Sequence, residues 1–123
     1  MRYHPFLVRL RRAWQTARVP SSDEIARLLV NTCDEIVIPL FRRLDADQVR
    51  EKSPGDLVTV ADQRAEIALT TTLSQWFPDA AIIGEEAVAA DPALLHRIDT
   101  GHVLLVDPVD GTGNFVAGIP EFG

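Results

Sequence analysis

Apolar residues recur at helical spacing from the twenties onward. Ile25, Leu28, Leu29, Cys33, Ile36, Val37, Leu40, Phe41 and Leu44 share one face, which predicts an amphipathic helix of about 20 residues. Ser21-Ser22-Asp23-Glu24 supplies its start, with hydroxyls for the cap and acids in the first turn. Pro39 falls inside this run. Lacking an N–H and crowding the turn before it, it predicts a kink or a detached last turn. Residues 45–56 are polar, Ser53-Pro54-Gly55 marks a turn, and Leu57-Val58-Thr59 is too short to assign. A second helix is predicted from Ala61 to Phe77, with Ala65, Ala68, Leu69, Leu73, Trp76 and Phe77 on one side and Pro78-Asp79 ending it.

The pattern then changes from periodic to continuous. Ala80 to Ile83 reads as a short buried strand that stops at Gly84-Glu85-Glu86, and Val103 to Val106 as another that ends at Asp107. Between them, Asp91-Pro92 predicts a short helix carrying Leu94, Leu95 and Ile98. The segment from Pro108 to Gly123 is rich in glycine and proline. Helix, helix, strand, strand predicts a mixed α/β layered fold.

With 123 residues, 46% of them apolar, the chain has material for one domain with a core. Its net charge of −6 is unevenly spread. Residues 1–22 hold five arginines and no acid, so the remainder is more acidic than the total. That opening predicts a basic N-terminal extension over residues 1–21, with a transit peptide as the alternative reading of the same composition. An acidic body argues against nucleic-acid binding, which needs basic stripes. The single cysteine, Cys33, excludes an intrachain disulfide and fits a reducing, cytoplasmic setting; on its apolar stripe it reads as a small core residue. No apolar run reaches the roughly 20 residues of a membrane span.

Chemistry concentrates where the two strands end. Ile82-Ile83 leads into Glu85-Glu86, and Val103 to Val106 leads into Asp107 and Asp110. Strand ends converging at one sheet edge would gather these acids, an arrangement that is costly until a cation neutralises it. Oxygen donors without nearby Cys or His favour a hard cation such as Mg²⁺, Mn²⁺ or Ca²⁺. In Asp107-Pro108-Val109-Asp110-Gly111-Thr112, the proline stiffens the backbone and the glycine permits a tight turn. Gly111 to Asn114 can then present backbone N–H groups at a helix start, a natural phosphate seat. Read singly, Asp107 and Asp110 are turn-formers, Glu85-Glu86 a solvated pair, and Asp62 a first-turn helix acid. His4, His96 and His102 share no spacing and read as surface or structural residues, and Trp14 and Trp76 as packing residues. No EF-hand, dinucleotide loop, P-loop or G-x-S-x-G is present.

Three segments taken together are more specific. Lys52-Ser-Pro-Gly-Asp56-Leu-Val-Thr59-Val-Ala-Asp62, then Ile83-Gly-Glu85-Glu86, then Asp107-Pro-Val-Asp110-Gly-Thr112-Gly-Asn114-Phe115 resemble, in order and spacing, the conserved blocks of the inositol monophosphatase family. The resemblance covers roughly residues 22–123. It implies the N-terminal part of a phosphatase domain, with two helices packed on a largely antiparallel sheet as the incomplete half of an αβαβα sandwich. It also implies Mg²⁺-dependent hydrolysis of a small phosphomonoester, with two or three ions in the intact enzyme. Inositol monophosphate is the leading substrate, and histidinol phosphate or another small phosphate the alternative. Carried over by position, Glu85, Asp107, Asp110 and the Val109 carbonyl would bind metal. Thr112 with Asp62, aided by Glu85, would orient or deprotonate the attacking water. Asp110, Gly111 and Thr112 would receive the phosphate, and Lys52 and Glu86 would support the loop. Gly113 departs from the larger residue common at that place. Family chains run longer and form homodimers, so the resemblance implies a truncated chain whose second metal site lacks an aspartate, or a vestigial, non-catalytic cation binder.

Overall fold

In the computed structural model of the chain, residues 18–99 and 101–123 are described. The first helix, α1 (Ser22–Thr32), opens on the expected cap. The Ser21 hydroxyl accepts from the Glu24 amide at 3.2 Å while the Glu24 carboxylate accepts from the Ser21 amide at 2.9 Å, so two orphan donors are satisfied reciprocally. The effect of Pro39 reaches one turn back. The helix widens into a π turn at Cys33–Val37, tightens to 3₁₀ at Ile38–Leu40, and turns extended at Phe41.

The polar segment after it is better ordered than its composition suggests. A 3₁₀ turn at Ala46–Gln48 leads into β1 (Val49–Ser53), which pairs antiparallel with β2 (Asp56–Thr59) through a tight turn at Pro54-Gly55. Gly55 sits at φ 81°, left-handed backbone that favours glycine. Thr59 ends β2 and caps the long helix α2 (Val60–Trp76), its hydroxyl accepting from the Ala61 and Asp62 amides. Next come β3 (Ala80–Gly84), a short helix α3 (Glu85–Ala90), a 3₁₀ segment at Pro92–Asp99, β4 (His102–Val106) and α4 (Thr112–Ala117). The mixed α/β class expected from the sequence is what the structure shows. Only one of its two strand pairs is antiparallel, however. β3 and β4 run parallel, where a largely antiparallel sheet was implied. Parallel pairing requires a crossover, and α3 with the 3₁₀ segment provides it.

Two apolar clusters flank α2. Val37, Ala61, Ala65, Val109 and Phe115 form one, with Cys33, Phe41 and Phe122 packed on it; Leu69, Leu73 and Val106 form the other, with Trp76 and Ile82 packed on it. Cys33 and Trp76 are thus packing residues, as read from the sequence, whereas His4, Trp14 and the basic segment up to residue 17 lie outside the described residues. Phe115, 1% exposed, meets Phe122 edge-on at 4.8 Å and Phe41 at 5.6 Å. Arg42, at φ 58°, donates two bonds to the Gly118 carbonyl at 3.0 and 2.8 Å, tying the end of α4 to the chain after α1. No helix among the described residues is long and apolar enough to cross a membrane. Phe115→Ala is expected to cost about 3–5 kcal/mol, because a large buried ring is lost and its two aromatic contacts go with it. Urea denaturation of the chain measures it, and a loss below about 1 kcal/mol would mean this cluster is not the core.

Candidate metal and phosphate site

The parallel register builds the centre of the site. Ile82 lies opposite Leu104 and Gly84 opposite Val106, so the next residue on each strand, Glu85 and Asp107, emerges at the same sheet end. Their carboxyl groups lie close enough for each to shift the titration of the other. Partial desolvation, the neighbouring Glu85 carboxyl, and the charge of Asp110 push the Asp107 carboxyl from 3.8 up to about 6. Asp107 keeps an exposed side chain, so repulsion is the part of this shift that a cation would relieve. The partner moves the other way. A hydrogen bond from Lys52 holds Glu85 below the ordinary carboxylate range, against the effect of burial.

Lys52 is the centre of that balance. Its ammonium lies 2.9 Å from Glu85 Oε1, 3.2 Å from Glu86 Oε1 and 3.8 Å from Asp56 Oδ1. Desolvation would lower it, but its bonds to Glu85 and Glu86 outweigh that and hold it well above its ordinary value. Desolvation dominates at Glu86 and raises its carboxyl despite Lys52. The β1–β2 hairpin thus carries a cation to the carboxylates of α3. A cleft of about 660 Å³ opens beside them, lined among others by Arg50, Lys52, Asp56, Gln63 and Glu86.

The second assembly joins α2 to the start of α4. Asp62 is 2% exposed. Its Oδ2 accepts from the Thr59 amide at 2.8 Å and the Thr59 hydroxyl at 2.7 Å, and its Oδ1 accepts the Thr112 hydroxyl at 3.0 Å. The Val109 carbonyl lies 3.3 Å from the same Thr112 oxygen. Gly111, at φ 73°, caps α4, and a side chain there would press on the Glu121 carbonyl 2.9 Å away. The loop is closed behind by mutual backbone bonds between Asp110 and Gly123, at 2.6 and 3.1 Å. The Gly113 position faces open space, so its missing side chain leaves the mouth of the loop unobstructed.

The residues singled out by sequence therefore form two linked groups, Lys52–Glu85–Glu86–Asp107 and Asp62–Thr112–Val109, with Asp110 and Gly111 between them in the loop. No three Asp, Glu, His or Cys side chains converge on one point among the described residues. The donor set is nonetheless that of a hard cation: two neighbouring carboxylates, a third close enough to repel one of them, and no sulfur or imidazole in the set. Two contributors were not singled out beforehand. Thr59 was legible as a hydroxyl three residues before an acid, the capping-box spacing. Glu66, whose carboxylate accepts from the Glu86 and Ala87 amides, follows Asp62 by one helical turn, a spacing read only as part of the helix.

Strand-end carboxylates beside a glycine-capped loop define a class of α/β proteins suited to cations and phosphate. A profile of the inositol monophosphatase family matches residues 21–123, and the chain belongs to that family. Inositol monophosphatase 1 of Bos taurus is 41% identical over 70 residues, covering 57% of this chain and 24% of its own length. Nus factor SuhB of Pseudomonas aeruginosa is 33% identical over 98 residues, covering 80% of this chain and 35% of its own. Among solved structures, the extragenic suppressor protein suhB of Bartonella henselae superposes with a TM-score of 0.51 at 33% identity, over 78% of this chain and 32% of that one. The chain thus spans about a quarter to a third of the length of these relatives.

Asp107 should titrate with a midpoint near 6, followed through its carboxyl carbon by NMR. Because its folded value is raised above 3.8, its contribution to stability is present at lower pH and is lost as pH rises through about 6. Asp107→Asn should remove that dependence. A midpoint near 4 would show that Glu85 and Asp110 do not press on it.

Proposed function

We propose that this chain contributes the cation- and phosphate-binding part of a Mg²⁺-dependent phosphomonoesterase acting on a small phosphorylated polyol. The observation that carries the reading is the Thr112–Asp62 pair. A buried carboxylate, fixed by two bonds from Thr59, takes the Thr112 proton, so the hydroxyl oxygen turns its lone pairs outward. A water placed there would donate to Thr112 and keep its own lone pair aimed at phosphorus. Proton transfer from that water through Thr112 toward Asp62 follows the same line of hydrogen bonds.

Glu85, Asp107, Asp110 and the Val109 carbonyl are the groups that would hold Mg²⁺, which supplies charge neutralisation at the phosphate when bound. Lys52 gathers Glu85 and Glu86 in the absence of other cations and would release Glu85 in part as one enters. Gly111 and Thr112 offer first-turn amides with no intrahelical partner to a phosphate oxygen. The acidic body disfavours nucleic acid as a substrate. Inositol monophosphate is the substrate class favoured by the inositol monophosphatases among the relatives.

Since the chain matches only about a quarter to a third of its relatives' length, activity is best tested in a family-length context. Residues 21–123 would replace the matching segment of bovine inositol monophosphatase 1, and phosphate release from inositol monophosphate would be followed. The chimera should be active only with Mg²⁺. Asp107→Asn should abolish turnover, and Thr112→Ala should cut kcat by about 10²–10³-fold with little change in KM, as for a group that acts in the transition state. A folded but inactive chimera would refute the assignment, and a rise in KM alone would reduce Thr112 to a phosphate contact. The 123-residue chain by itself should show little turnover, because positioning supplies much of the rate and the chain matches at most about a third of its relatives' length.

A further inference from the structure

We propose that Glu66 is a positioning residue for the metal-binding carboxylates, acting through the backbone of α3 rather than by touching a ligand. The metal part of this claim rests on the reading above. α3 has six residues, too few to hold itself as an isolated helix. Its first two, Glu85 and Glu86, are both acidic, and its cap residue is Gly84, which has no side chain to offer the orphan amides. Those amides are taken up from another element. Glu66 Oε2 accepts from the Glu86 amide at 2.6 Å and Oε1 from the Ala87 amide at 2.9 Å. The carboxylate is 6% exposed, and no buried side-chain polar atom among the described residues lacks a partner, so both its oxygens are committed to this task.

Gly84 is the second half of the device. A Cβ built there falls inside the Glu66 carboxylate, so the cap is reached only because this position is glycine. Glu85 is the single residue between Gly84 and the pinned Glu86 amide. Its direction toward Lys52 and Asp107 is therefore set by where Glu66 holds that amide. Asp62, which accepts the hydrogen bond of the Thr112 hydroxyl, lies four positions earlier on α2 and on the same buried face. One helix thus orients both halves of the site.

Glu66→Gln keeps the shape but turns one acceptor into a donor facing an amide. In ¹⁵N-labelled 123-residue chain, the wild-type Glu86 and Ala87 amides should be shifted downfield and exchange slowly, and in Glu66→Gln at least one should lose both properties. Titration with MgCl₂ should give a dissociation constant about 10–100-fold weaker in the variant, the usual effect of disturbing a group that orients a ligand. A purely structural Glu66 would lower the urea midpoint and leave Mg²⁺ affinity of the folded chain unchanged, which would overturn the proposal. Should the variant fail to fold, the wild-type amides decide: fast exchange and ordinary shifts at Glu86 and Ala87 overturn it, protection supports it. Should wild type bind no Mg²⁺, the metal reading fails by itself. The positioning claim is then decided by whether Glu66→Gln abolishes the Lys52–Glu85 nuclear Overhauser contacts, whose persistence would overturn it.

Discussion

Two carboxylates brought side by side by a parallel strand register repel each other, and most of the site can be read as a response to that repulsion. The pairing of Gly84 with Val106 leaves Glu85 and Asp107 nowhere else to emerge. One of them is held ionised by Lys52 and the other is pushed up to about 6. The first effect comes from the bond that Lys52 donates, and the second from partial burial together with the charges of Glu85 and Asp110 that one lysine does not neutralise. A folded protein tolerates such excess where a ligand removes it, and an oxygen-rich pair with a nearby backbone carbonyl is chemistry for a hard divalent ion.

Rigidity comes from α2. Its inward face carries Asp62 and Glu66 among Ala61, Ala65, Leu69 and Leu73, so two carboxylates are set within an otherwise apolar stripe. Each is fully committed, Asp62 to Thr59 and Thr112, Glu66 to the amides of α3. Burial without such partners would cost several kcal/mol apiece. The aromatic cluster of Phe41, Phe115 and Phe122 does the corresponding work behind the loop, anchoring α4 and hence Thr112. Elsewhere the surface is less finished. Leu105 on β4 is 72% exposed, although parallel strands are ordinarily covered on both faces.

Legibility in the sequence followed the strength of local signals. α1, α2, β3 and β4 were readable because their apolar periods are long or unbroken. The bounds of α2, β3 and β4 shift by only a residue or so in the structure. The regular α-helix of α1, by contrast, ends at Thr32 and continues as π and 3₁₀ turns only to Leu40, short of the expected run of about 20 residues to Leu44. β1 was missed because Val49-Arg50-Glu51-Lys52-Ser53 has almost no apolar content; it is held by pairing with β2, not by its own pattern. α3 was missed for a related reason. Glu85-Glu86 after a glycine reads as a stop, and the helix exists because a carboxylate about twenty residues earlier in the chain, Glu66, arrives from α2 to cap it. The parallel pairing of β3 and β4 was likewise invisible, since buried runs look alike in either direction. The site residues were legible as types in an order. Their division into a lysine-bridged carboxylate group and a buried threonine–aspartate pair was not, because it depends on contacts across the fold.

The central claim is that the ends of β3 and β4 with the loop to α4 form one cation site. Titration of the ¹⁵N-labelled chain with sub-stoichiometric Mn²⁺ tests it most directly, since the paramagnetic ion broadens amides according to distance. The account predicts that Glu85, Asp107, Val109, Asp110 and Thr112 broaden first and together, and that excess Mg²⁺ restores them. Broadening spread over the acidic surface, or centred on Asp45 and Asp47 with these five unaffected, would contradict it.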